Sequence, residues 1–237
     1  KECWRYTIID GNNNIICDRI EEKRNQETIE KVLVEELAGR EVSYIVTDLD
    51  NKYEKAIESL RRAIAKHKGV PLSTIKIRHQ LCVFHQLMNV RKVLEELYSE
   101  KTRKKLNAEG KMWMREIVNI FRSEDREEAW NKLEQLYARE EIPWKLRKEL
   151  EKMGERFENL TWYLEDGRVP MTNNRIELYY RITQPQRTKK RFKTKEGLDG
   201  ILRYQRARKK NGSTILLTMG MLCLNLWQAL GFIATIL

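Results

Sequence analysis

Two carboxylates, Asp48 and Glu177, stand 129 positions apart in contexts that suit divalent-cation chemistry. Asp48 closes the apolar run Val42-Ser43-Tyr44-Ile45-Val46-Thr47. That run reads as a buried strand and places the carboxylate at the strand's C-terminal edge, where α/β sheets gather ligands. Glu177 ends the stretch Thr172-Asn173-Asn174-Arg175-Ile176-Glu177, which reads as the start of a helix. Carboxylate oxygens are hard donors, so two of them brought together by folding would hold Mg²⁺ or Mn²⁺ and support phosphodiester chemistry. Each residue also has a purely structural explanation. Asn174 and Glu177 have the spacing of a capping box, and Arg181 stands at i+4 from Glu177 for an ion pair. Asp48 could cap the following helix together with Asp50, which is the residue most easily confused with the ligand; Asp48 is preferred because it directly follows the apolar run.

His79, Cys82 and His85 recur every three residues, a spacing that raises zinc. A closed zinc site needs a fourth ligand, and no partner pair at a typical spacing lies nearby. A Cys-His nucleophile pair is the poorest option, because nothing is placed to orient the histidine. The four cysteines, Cys3, Cys17, Cys82 and Cys223, are scattered through a charged sequence without a secretory signal. Reduced thiols in a cytoplasmic setting are the expectation, with no disulfide framework.

Charge is the second strong feature. From Arg181 to Lys210 there are twelve Lys/Arg and two acids, a local excess of +10 within a chain whose net charge is +11. The densest part runs Gln186-Arg187-Thr188-Lys189-Lys190-Arg191-Phe192-Lys193. Arg187, Lys189, Lys190, Arg191 and Lys193 there suit phosphate contacts with DNA, and Arg203, Arg206 and Arg208 extend the stripe. The plainer alternative is a solvated basic face. No helix-turn-helix or zinc-finger pattern accompanies it. Ser213 to Leu237 carries no charge, which raises a membrane span, but Thr218, Asn225 and Gln228 lie within it, a buried closing helix explains it equally well, and nothing earlier in the chain asks for a membrane.

The elements that must position these groups follow from periodicity. Trp4 to Ile9 and Asn14 to Ile20 read as a hairpin around Asp10-Gly11-Asn12-Asn13. A helix from Asn25 to Leu37, the Asp48 strand, a helix from Tyr53 to Lys66 and a strand from Thr74 to Leu81 continue the order β-β-α-β-α-β. From Phe84 to Leu164 the pattern is helical throughout, with Ser123-Glu124-Asp125 as a helix start. Trp113, Trp130, Trp144 and Trp162 in this block read as bundle core. The expected organisation is 1–90 as the first part of an α/β core, 91–168 as an all-helical insertion, and 169–237 as the last part of the core.

Thr47-Asp48-Leu49-Asp50-Asn51-Lys52-Tyr53 with Ala56-Ile57, then Cys82-Val83-Phe84-His85 with Asn89, then Asn173-Asn174-Arg175-Ile176-Glu177, in that order, resemble DDE transposases of insertion sequences, especially the Mutator-like kind. The resemblance covers about residues 4 to 205. It implies a ribonuclease-H-like mixed sheet flanked by helices, with an all-α insertion before the last acid. It also implies an Asp-Asp-Glu triad holding two Mg²⁺ or Mn²⁺ ions, with Asp48 as the second acid and Glu177 the third. Cys82, His85, Asn173 and Asn174 would lie near that site. The implied partners are transposon ends and target DNA, with a homo-oligomer as the active form. The first acid departs from the pattern. Asp10 sits in what reads as a turn, so strand one and its aspartate are expected upstream, in keeping with Lys1 as the first residue. A DNA-binding remnant without catalysis, or another ribonuclease-H-like nuclease, are the alternatives.

Overall fold

The computed structural model describes residues 3–99, 105–183 and 194–211, with side chains through residue 205. The Arg187–Lys193 basic residues and the apolar stretch 213–237 lie outside the described residues. Strands β1 (Trp4–Ile9) and β2 (Ile15–Glu21) pair as the expected hairpin. Asp10 builds the turn: its Oδ1 accepts from the Asn12 and Asn14 amides at 2.9 and 2.7 Å, and its Oδ2 from Asn14 Nδ2 at 2.9 Å. Asn13 supplies the left-handed residue at φ 65°, which a short polar side chain tolerates.

Helix α1 (Gln26–Leu37) starts where the Asn25 side chain accepts from the Thr28 amide, and it buries Ile29, Val32, Leu33 and Leu37 along one stripe. That stripe packs on α2 (Lys52–Lys68), whose buried face is Ala56, Ile57, Leu60 and Ile64. Gly69 ends α2 at φ 66°, so its amide reaches the Ala65 and Lys66 carbonyls from the left-handed conformation glycine adopts without penalty. Strands β3 (Tyr44–Thr47) and β4 (Arg78–Leu81) pair in parallel, in register from Tyr44 opposite Arg78 to Thr47 opposite Leu81. Both are shorter than expected, and at the start of β4 Leu72–Thr74 forms a 3-10 turn.

The helical block is α3 (Val83–Tyr98), α4 (Ala108–Ile120), α5 (Arg126–Tyr137), α6 (Trp144–Glu155) and the short α7 (Phe157–Leu160) and α8 (Trp162–Glu165). α3 packs on α4 and α6, and α5 on α4 and α6, around Leu87, Val90, Leu94, Trp113, Ile117, Leu133, Leu146, Leu150 and Met153. Gly110 is required at the α3–α4 crossing, since a Cβ there would stand 2.8 Å from Tyr98 Cβ. Asp125 caps α5 by accepting from the Glu128 amide at 2.8 Å. The core reading of the tryptophans holds for Trp113 and fails for Trp130 and Trp144, which are 39% and 62% exposed. Trp130 is one position, about 100° of helix, off the buried Ala129-Leu133-Leu136 stripe; Trp144 opens α6 ahead of the buried Leu146-Leu150-Met153 stripe.

Two compact units group the described residues: 9–17 with 24–99 and 105–176, and 3–8 with 18–23, 177–183 and 194–211. The helical block therefore groups with β3 and β4. The second unit contains most of α9 (Asn174–Thr183) and all of α10 (Lys195–Asn211). Its apolar contact joins Ile20 to Leu198 and Leu202, with Cys3 against them. Its polar centre is Asp18, which accepts from Arg5 Nε and Nη2 at 2.7 and 2.8 Å, Thr7 Oγ1 at 2.9 Å and the Tyr179 hydroxyl at 2.6 Å. Arg5 also donates to Thr183 Oγ1 at 2.8 Å and lies over the Tyr179 and Tyr180 rings.

The overall class is mixed α/β, as expected, and the strands of the described residues form two two-stranded sheets. Among them the strands pair as β1 with β2 and β3 with β4, with no ladder joining the pairs. β3 and β4 are four residues each, and among the described residues their outer hydrogen-bonding edges are not extended by another strand. No helix of the described residues is long and apolar enough to cross a membrane.

The side chains of Arg5 and Asp18 are 6% and 1% exposed, so removing one partner strands a buried charge. Arg5→Met is expected to lower the unfolding free energy by about 3–5 kcal/mol, read as a lower urea midpoint at unchanged slope. A loss below about 1 kcal/mol would place the pair with ordinary surface ion pairs.

Candidate functional site

The C-terminal edge of the β3–β4 pair is where most of the sequence-selected residues of the first unit meet. Asp48 is the first residue after β3, as its position behind the apolar run requires. The parallel ladder continues one step past the strands, with the Cys82 amide donating to the Thr47 carbonyl at 2.8 Å, so Cys82 lies beside Asp48. Cys82 is fully buried and precedes α3, and His85 follows in the first turn of α3, its amide donating to the Cys82 carbonyl at 3.1 Å. The segment leading to α9 docks on the same corner. Met171 accepts from the Val83 amide at 3.1 Å, and the Asn173 amide donates to Cys82 Sγ at 3.5 Å. Residues 91 positions apart in sequence are thus joined, and the Cys82 thiol acts as a buried acceptor that fixes this loop.

Helix α9 begins at Asn174, so the capping-box explanation for Asn174 and Glu177 does not hold: Asn174 is inside the helix instead of capping it. The Asn173 and Asn174 side-chain oxygens are buried without a hydrogen-bond partner. Arg175 Nη1 donates to the Gly11 carbonyl of the hairpin turn at 2.8 Å. Glu177 lies in the first turn of α9, half-buried, and belongs to the other compact unit.

Around Asp48 the geometry is polar and ordered. Its Oδ1 accepts from the Asp50 amide at 3.2 Å, and its Oδ2 faces Arg24 Nη2 at 3.6 Å. Asp50 accepts from the Lys52 amide and ammonium at 3.1 and 3.2 Å and faces the same Arg24 nitrogen at 3.7 Å. Partial burial pushes the Asp50 carboxyl upward, but the Lys52 hydrogen bonds and the Lys52 and Arg24 charges outweigh it and hold the group below the ordinary carboxylate value. The Thr47 hydroxyl donates to the Asp48 carbonyl at 2.8 Å and sits 2.8 Å from His79 Nε2. With the hydroxyl proton so committed, His79 Nε2 is the donor, and burial lowers this imidazole to about 4, so it is neutral near pH 7.

Asp10 is committed to the hairpin turn through both oxygens, as its Asp-Gly-Asn context implies. The zinc candidates do not assemble: His79 is bonded to Thr47, Cys82 to the Asn173 amide, and among the described residues no three His, Cys, Asp or Glu side chains gather to hold a metal. Arg203 is exposed on α10, 3.6 Å from Asp199. Sequence reasoning missed Arg24, which sits in a polar segment with no periodicity to mark it. It also missed the Thr47–His79 pair, which alternation along two strands in known register would have revealed.

The family model described as Transposase IS66 family matches residues 1–199. The chain belongs to that family. The match supports the insertion-sequence transposase expectation but not its Mutator-like affiliation. A curated relative, the insertion element ISM1 uncharacterized 48.3 kDa protein of Methanobrevibacter smithii, is 28% identical over 209 residues, 85% of this chain. The chain spans about half of that relative's length, 48%.

His79 gives a pH signature. Its folded value lies below the ordinary 6.5, so the unfolded chain binds the extra proton in between; the associated stability is present above about pH 6.5 and lost as pH falls towards 4. His79→Gln is expected to flatten the fall in urea midpoint between pH 7 and pH 4.5 relative to wild type; parallel profiles would contradict the burial of a neutral imidazole.

Proposed function

We propose that this chain is part of a transposase that cleaves DNA strands and transfers them with the help of divalent cations, on a ribonuclease-H-like catalytic core. Membership of the IS66 family carries the reading, and the placement of Asp48 beyond a parallel strand supports it. The donor set at this edge fits a hard cation: Asp48 and Asp50 bring carboxylate oxygens to one cationic group. Mg²⁺ commonly takes one or two carboxylates, with water and substrate phosphate completing its shell. Two such ions, Mg²⁺ or Mn²⁺, would supply Lewis acidity for the attacking and leaving oxygens of an in-line displacement.

Within that reading Asp48 and Glu177 are the metal-binding carboxylates. Asn173, Asn174 and the buried Cys82 thiol set the start of the helix that carries Glu177, and His85 belongs to the same corner. Arg187, Lys189, Lys190, Arg191 and Lys193 hold DNA through its phosphates without reading sequence. The active form is an assembly of more than one copy bound to transposon ends and target. A second reading, a DNA-binding protein without catalysis, draws on Asp10: with both oxygens engaged in the turn, it is a poor candidate for the first acid of a triad.

Strand cleavage and joining of labelled DNA separates the two, measured with Mg²⁺ or Mn²⁺ for this chain and for the full reading frame that carries it. Activity abolished by Asp48→Asn and by Glu177→Gln, with DNA affinity retained, is the expected result; binding without cleavage in every form would establish the second reading. The salt dependence of DNA binding tests the basic tract. Replacing Lys189, Lys190 and Arg191 by Ala is expected to weaken binding and make the log–log salt slope shallower by about 0.9 for each duplex phosphate no longer neutralised. An unchanged slope would remove the tract from the interface.

A further inference from the structure

Asp48 and Asp50 each aim one oxygen at a single guanidinium nitrogen, Arg24 Nη2, at 3.6 and 3.7 Å. The other bonds of the two acids fix them in place. Asp48 Oδ1 is held by the Asp50 amide, and Asp50 is held by the Lys52 amide and ammonium. Two carboxylates two residues apart repel each other, and a cation shared between them relieves that repulsion in the way a metal ion would. Arg24 lies in the short segment between β2 and α1, immediately before the Asn25 cap, and its side chain is 43% exposed.

We infer that Arg24 is a placeholder cation, holding Asp48 and Asp50 in a ligand-ready arrangement and competing with the divalent ion that must displace it. This inference rests on the reading of Asp48 as a metal-binding residue. Its distances are looser than those of Arg5 with Asp18 at 2.7 Å and Arg78 with Asp166 at 2.7 Å. A partly exposed pair of this kind is weak, which suits an interaction meant to yield. Arg24 is thus a positioning residue: it sets where the carboxylates stand before the ion arrives and how tightly the ion must bind to replace it.

The test is Mn²⁺ binding, followed by electron paramagnetic resonance at fixed ionic strength, for wild type, Arg24→Gln, Arg24→Ala, Arg24→Lys and Asp48→Asn, with circular dichroism confirming that each is folded. Arg24→Gln and Arg24→Ala are expected to bind Mn²⁺ about two- to five-fold more tightly than wild type, the range an exposed ion pair supplies. Arg24→Lys keeps the charge and is expected to stay near wild type, whereas Asp48→Asn weakens binding at least about ten-fold. If Asp48→Asn weakens binding but the neutral Arg24 variants bind as wild type or less tightly, the placeholder role is overturned and the reading of Asp48 stands. If Asp48→Asn binds as wild type, or no form binds Mn²⁺, both fail.

Discussion

The parallel pairing of β3 with β4 is the constraint on which the candidate site depends. Four residues a side give little strand to work with, so the pair is secured by side chains that reach outside the ladder. Gln80 is fully buried on β4 and donates to the Leu160 carbonyl at 3.0 Å while accepting from the Tyr163 amide at 3.2 Å. Arg78 binds Asp166 at 2.7 Å and lies over the Trp162 ring. These interactions clamp β4 to the short helices α7 and α8 that close the helical block. An amide buried with both ends satisfied costs little, and the same amide left unpaired would destabilise the strand, so the clamp favours one register over its neighbours. Because that register is held, the Thr47 carbonyl meets the Cys82 amide, and Asp48 emerges beside the start of α3.

The acids of the chain differ in how firmly their oxygens are committed. Asp18 is buried among four short hydrogen bonds, Asp10 is tied into its own turn, and Asp166 is held well below the ordinary carboxylate range, first by the Arg168 side chain and amide and then by Arg78. Such groups stabilise the fold and have little capacity left for a ligand. Asp48 is different, being 30% exposed, with one oxygen anchored and the other facing a guanidinium beyond hydrogen-bonding distance. Chemistry needs an acid that is placed but not saturated, and Asp48 meets that description.

Much of this was readable in the sequence. The hairpin, the order of the first six elements and the helical block follow from periodicity and turn residues, because those signals are local. The position of Asp48 followed from the end of an apolar run. What was not legible depends on pairing between distant segments. Whether the strands join in one sheet is a matter of ladder partners, which Tyr44–Thr47 and Arg78–Leu81 do not encode by themselves. Trp130 and Trp144 show that residue type alone does not decide burial, since each is set off its helix's apolar stripe. The Cys82–Asn173 hydrogen bond and the gathering of Asp48 and Asp50 around Arg24 arise from loops, where no period exists to read.

The central proposal is that Asp48 and Glu177 each bind divalent cations. Iron-directed backbone cleavage tests it most directly, with Fe²⁺ in place of Mg²⁺ and ascorbate with peroxide generating hydroxyl radicals at the bound ion. Cuts clustered around residue 48 and around residue 177, both suppressed by excess Mg²⁺, the first lost in Asp48→Asn and the second in Glu177→Gln, are the predicted outcome. Cuts near only one of the two, or cuts that Mg²⁺ does not suppress, would contradict it.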